Sequence, residues 1–102
     1  MKFMTMSVIP VEKMAEVAAA SDKAWAGQPQ ERRPKNAYVL MTVPFEVPPH
    51  SMVSVYITEE ESMEAVAARV YPVTLAGATV NIIPLMEYVP GVAAKTEKKL
   101  KG

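Results

Sequence analysis

The order in which hydrophobic patterns follow one another most constrains this chain. Lys2 to Val8 alternates, with Met4, Met6 and Val8 on one side and Phe3, Thr5 and Ser7 on the other, which is the period of a strand. Pro10 suits the first turn of a helix, where its missing N–H costs nothing. Val11, Met14, Val17, Ala18, Ser21 and Trp25 then share one helical stripe, opposite Glu12, Lys13, Glu16 and Lys23, up to a capping Gly27. A polar loop over 27–35 precedes two alternating segments, Asn36–Val43 and Met52–Thr58. Pro44, Pro48 and Pro49 between them rule out a two-residue hairpin.

Thr58-Glu59-Glu60-Glu61 fits a capping box, with Thr58 as N-cap and Glu61 reaching back. Met63, Val66, Ala67 and Val70 supply the stripe of a second helix. Pro72 biases Tyr71 out of helical geometry and is expected to end it. Thr79–Tyr88 alternates again. Pro84 cannot donate to a ladder, which marks this last segment as an edge strand.

The order is thus βαββαβ. It predicts an α+β, ferredoxin-like fold: a four-stranded antiparallel sheet in the order 4-1-3-2, with both helices on one face. The domain is expected over 1–89, with a flexible, lysine-containing tail over 90–102. Met4, Met6, Val8, Val53, Val55, Ile57, Val80 and Ile82 fall on all-apolar strand faces, and these are expected to meet the helices. The opposite faces mix Phe3, Tyr38, Leu40, Met52, Tyr56, Ile83 and Leu85 with Thr5, Ser7, Ser54, Asn81 and Glu87. Such a face is too apolar to sit bare in water. A second copy laying the same face over it would cover it, and its polar groups would leave room for a ligand between the sheets.

Composition narrows the function classes. Eleven basic residues balance eleven acidic ones, so no electrostatic footprint for nucleic acid or an anionic membrane surface is present. With no cysteine, disulfides, thiolate metal sites and Cys nucleophiles are excluded. No apolar run approaches the roughly 20 residues that span a bilayer. The first residues read directly into a strand rather than a cleavable signal, so a cytoplasmic location is expected. No His, Asp and Glu cluster has metal-ligand spacing, and no cofactor is expected.

The opening Met1-Lys2-Phe3-Met4-Thr5, the Pro10-Val11-Glu12 step into helix one, Glu61-Ser62-Met63-Glu64-Ala65-Val66, and above all Val80-Asn81-Ile82-Ile83-Pro84-Leu85-Met86-Glu87 carry a family likeness. Over residues 1–88 the chain resembles the dimeric α/β-barrel superfamily and, more narrowly, the domain of unknown function 3303. The resemblance implies a homodimer with a cleft beside each sheet, in a superfamily that includes haem-degrading and quinone-forming monooxygenases, dehalogenating and decyclising enzymes, and small-ligand sensors. It carries over no catalytic residue.

Candidate chemistry is sparse. His50 is the single histidine and stands in a Pro-rich loop. Topology separates it from Glu87 by a strand's length, so the two cannot form a dyad within one subunit. Phe3, Tyr56 and Glu87 are expected at one end of the cleft, where a carboxylate against aromatic surface can act as a base with Tyr56 as donor. Glu87, His50 and Tyr56 are therefore the catalytic candidates. For ligand binding, Tyr38, Tyr56, Asn81 and Glu87 would supply polar contacts, and Phe3, Leu40, Met52 and Ile83 the walls. Three readings follow: a homodimer binding a small, partly apolar molecule between the sheets, a cofactor-independent monooxygenase or isomerase-like enzyme, and a structural dimer or accessory subunit with a filled interface.

Overall fold

The computed structural model describes residues 1–87 and Gly91; the expected tail lies, Gly91 apart, outside the described residues. The chain runs through β1 (Lys2–Pro10), a 3-10 turn (Val11–Lys13), α1 (Met14–Ala26), a second 3-10 turn (Gln30–Arg32), β2 (Tyr38–Val39), β3 (Ser51–Glu59), α2 (Met63–Leu75) and β4 (Thr79–Leu85). All pairings are antiparallel, in the order β2-β3-β1-β4. This is the expected ferredoxin-like α+β sheet, with Pro84 on an edge strand. Residues Lys2 to Pro10 pair with Glu59 to Ser51 on one side, and Lys2 to Val8 with Leu85 to Thr79 on the other, so β1 is tied along both edges.

The helices cover the face that carries Phe3, Thr5, Ser7 and Ile9, all of them buried. Phe3 packs with Val66 and Val70, and Ile9 with Val17, Val73 and Ala78. By register Met52, Ser54, Tyr56 and Thr58 lie on the same side, as do Val80, Ile82 and Pro84. The expectation for β4 thus holds, whereas β1 and β3 are turned over: Met4, Met6, Val8, Val55 and Ile57 face away from the helices. The cause is that neither face of these strands is plainly polar. Short hydroxyls fit beneath helices, and the bulkier Phe3 and Ile9 fill the space between the helix stripes.

Three local expectations also change. β2 extends over two residues rather than Asn36–Val43. Leu40 still donates its N–H to the Val53 carbonyl at 2.9 Å, but Met41 beyond it is almost fully exposed. The proline-rich segment that follows lies along the open face, where Phe45, Val47 and Pro48 share a hollow with Met6 and Val8. The N-cap of α2 is Ser62, whose Oγ accepts from the Ala65 N–H at 3.1 Å. Thr58 is unavailable for that role because β3 continues through Glu59. Pro72 sits inside α2 instead of ending it. The buried Val73 holds the last turn against Ile9 and Val17, which offsets the single backbone bond that proline removes. The turn into β4 needs Gly77, whose φ is +125° and whose missing Cβ would lie 3.0 Å from the Lys13 side chain.

Candidate functional site

The turned strands divide the residues expected around one cleft. Phe3, Met52 and Tyr56 lie under the helices, while Tyr38, Leu40, Asn81 and Ile83 lie by register on the open side. A single site lined by all of them is therefore not formed. Phe3 is a core residue, 1% exposed.

Met52 and Tyr56 instead line a pocket of about 150 Å³ between the sheet and the helices. Its floor is the centre of β1 and β3, where Ser7 and Ser54 are cross-strand partners. Its roof is mostly apolar, from Met14 and Val17 of α1 and Val70 and Val73 of α2, with the Ser21 hydroxyl of α1 beside them. The floor follows from β1 and β3 placing small hydroxyls where the helices pass over them, which leaves a space that larger side chains would have filled. The pocket lining holds no carboxylate and no imidazole.

Tyr56 links the pocket to a buried charged cluster that sequence reasoning missed. Arg69 occupies an inward position of α2, between Val66 and Val70, and its side chain is 4% exposed. Its Nη2 donates to Glu60 Oε2 at 2.6 Å and its Nη1 to the Tyr56 hydroxyl oxygen at 2.8 Å. Glu60 Oε2 also accepts from Thr58 Oγ1 at 2.9 Å. The guanidinium lies 4.1 Å from the centre of the Trp25 ring, which itself meets Tyr56 edge-to-face at 5.8 Å. Burial disfavours the Arg69 charge, but the hydrogen bond to Glu60 and the interaction with Tyr56 more than offset it and raise its pKa above the ordinary value. The available signal was an arginine in register with the apolar stripe of α2: such a position must find a partner or leave a charge buried.

The catalytic candidates do not meet. His50 is exposed, takes a positive φ of 57°, and uses its carbonyl to accept from the Val11 N–H at 2.8 Å. Glu87 is exposed and accepts from Lys2 Nζ at 2.9 Å, a bond that raises the lysine pKa. The register places the two at opposite ends of β1. Lys2 projects to the open side, so Glu87 is drawn away from Phe3 and Tyr56, and that expected trio is not assembled.

A hollow of about 400 Å³ runs from Met4 and Ile57 on the open side past the free edge of β3, where Tyr56 and Thr58 also line it, to the Arg32–Asn36 loop and Tyr38. Arg32 is paired there with Glu61 at 3.1 Å and Arg33 with the Gln28 carbonyl, as expected of solvated loop residues. A second hollow of about 370 Å³ includes Asn81 and Phe45. No group of His, Asp and Glu able to hold a metal occurs among the described residues. None of their helices is long and apolar enough to cross a membrane.

No family model matches the chain, the domain of unknown function 3303 included, and no curated protein matches it. Among solved structures it is similar to the cofactor-independent oxygenase SnoaB of Streptomyces nogalater, at 12% identity and a TM-score of 0.47, covering 87% of this chain and 97% of that one. It is also similar to a dimeric ferredoxin-like protein of unknown function from Thermobifida fusca, at 13% identity and a TM-score of 0.39, covering 83% and 92%. A dimeric ferredoxin-like protein from an uncultured marine organism matches at 18% identity and a TM-score of 0.41, covering 85% and 98%. At these values none of them speaks to the chemistry of this chain.

Proposed function

We propose that the protein is a homodimer that binds a small, partly apolar molecule in each protomer, in the pocket between its own sheet and helices. The observation that carries the binding role is that pocket: a floor of serine hydroxyls under a mostly apolar roof, lined also by a tyrosine, which is the composition of a small-molecule site. The pairing rests on the open face. Met4, Met6, Val8, Val55, Ile83 and Leu85 are only partly shielded and Ile57 is 55% exposed, which is more apolar surface than one small domain ordinarily leaves in water. A second copy laid on it by a two-fold axis would close it as a dimeric α/β barrel.

Native mass spectrometry of the freshly purified protein tests both parts. The wild type is expected as a dimer carrying extra mass. Ile57→Glu places an unpaired carboxylate in the interface at a cost of about 3 kcal/mol or more, enough to weaken pairing by about a hundredfold. Because Ile57 is exposed in the single chain, the variant should stay folded, become monomeric and keep the extra mass. A wild-type monomer would contradict the pairing. Loss of the extra mass together with the partner would move the ligand to the space between the sheets.

A further inference from the structure

We infer that Tyr56 is the group that selects the ligand of this pocket, and that the ligand is a one-ring molecule carrying a carbonyl or similar acceptor oxygen; this rests on the pocket being the binding site. Size comes first. A protein cavity of about 150 Å³ accommodates one benzene-sized ring, and the present pocket has about that volume.

The polar end of the ligand follows from hydrogen-bond accounting. A guanidinium has donors and no acceptor, so in the Arg69 to Tyr56 bond the tyrosine oxygen accepts and its own hydrogen remains to be donated. The described residues offer no acceptor bonded to it. Arg69 is held in turn by Glu60, itself bonded to Thr58. The phenolic hydrogen lies in the plane of the ring, away from Arg69, and a ligand in the pocket that Tyr56 lines can accept it.

An acceptor oxygen on the ligand would meet the Tyr56 hydroxyl, while the ring would lie against Val17, Val70 and Val73.

Amide-shift titrations with cyclohexanone and with methylenecyclohexane test this, because the two probes share size and shape and differ in C=O against C=CH2. One neutral hydrogen bond corresponds to about a fivefold change in affinity. Tyr56→Phe should therefore weaken cyclohexanone by about that factor or more and leave the hydrocarbon within about twofold. Since Tyr56→Phe also removes the acceptor for Arg69, the wild type is read as well: the Cζ carbon resonance of Tyr56 should move with cyclohexanone and stay with methylenecyclohexane. Equal effects of Tyr56→Phe on both probes, with a Cζ resonance that does not distinguish them, overturn the selecting role and leave the pocket standing. If neither probe shifts the amides around Val17 and Val70, the pocket itself is not the binding site.

Discussion

Arg69→Ala is expected to be the most destabilising single substitution away from the apolar core. It removes one member of a buried ion pair and leaves the Glu60 side chain, 12% exposed, with its remaining bond from Thr58 alone. It also strips the cation from the Trp25 and Tyr56 rings. Breaking a buried pair from one side costs about 3–5 kcal/mol. In a domain of this size that corresponds to a fall in melting temperature of about 12–25 °C. Urea unfolding at fixed protein concentration measures it, since the proposed pairing would add concentration dependence. Replacing both partners, Arg69→Leu with Glu60→Leu, should recover most of the loss, because no charge is then left buried. A cost for Arg69→Ala below about 1 kcal/mol would mean that the pair behaves as a surface salt bridge.

The second large effect distinguishes the two faces of β1. Phe3 is packed beneath α2 against Val66 and Val70, and Phe3→Ala should cost about 3–5 kcal/mol through lost burial and the cavity left behind. Its neighbour Met4 points to the open side, where little of the same chain covers it. Met4→Ala should leave the unfolding free energy of the isolated chain within about 1 kcal/mol and act on pairing instead. Measuring both by urea unfolding in the Ile57→Glu background separates folding from association. A larger cost at Met4 than at Phe3 would mean that the helices cover the other face.

That contrast also shows what was legible in the residues. Alternation in β1, β3 and β4 and the helical stripes of α1 and α2 were enough for the fold class and the strand order, and Pro84 for the edge position of β4. Which face meets the helices was not legible, because neither face of β1 and β3 is plainly polar. Met4, Met6 and Val8 look more like core than Thr5 and Ser7 do. Ile9, one residue past the expected end of β1, would have shifted the balance toward Phe3. Among the expected site residues, Tyr56 and Met52 line a cavity between sheet and helices rather than a cleft between two sheets, and their neighbours changed with the side. Arg69 escaped notice because a charged residue within an apolar stripe is ordinarily at its rim. Its partners come from the turn after β3, from α1 and from the sheet, which only tertiary structure brings together.

The most direct measurement is of where a one-ring ketone sits. With methyl groups of valine, isoleucine and methionine labelled, nuclear Overhauser contacts from bound cyclohexanone are expected at Val17, Met52, Val70 and Val73, between sheet and helices. Contacts confined to Met4, Val55 and Ile57 would contradict this and put the ligand on the open face, between two sheets.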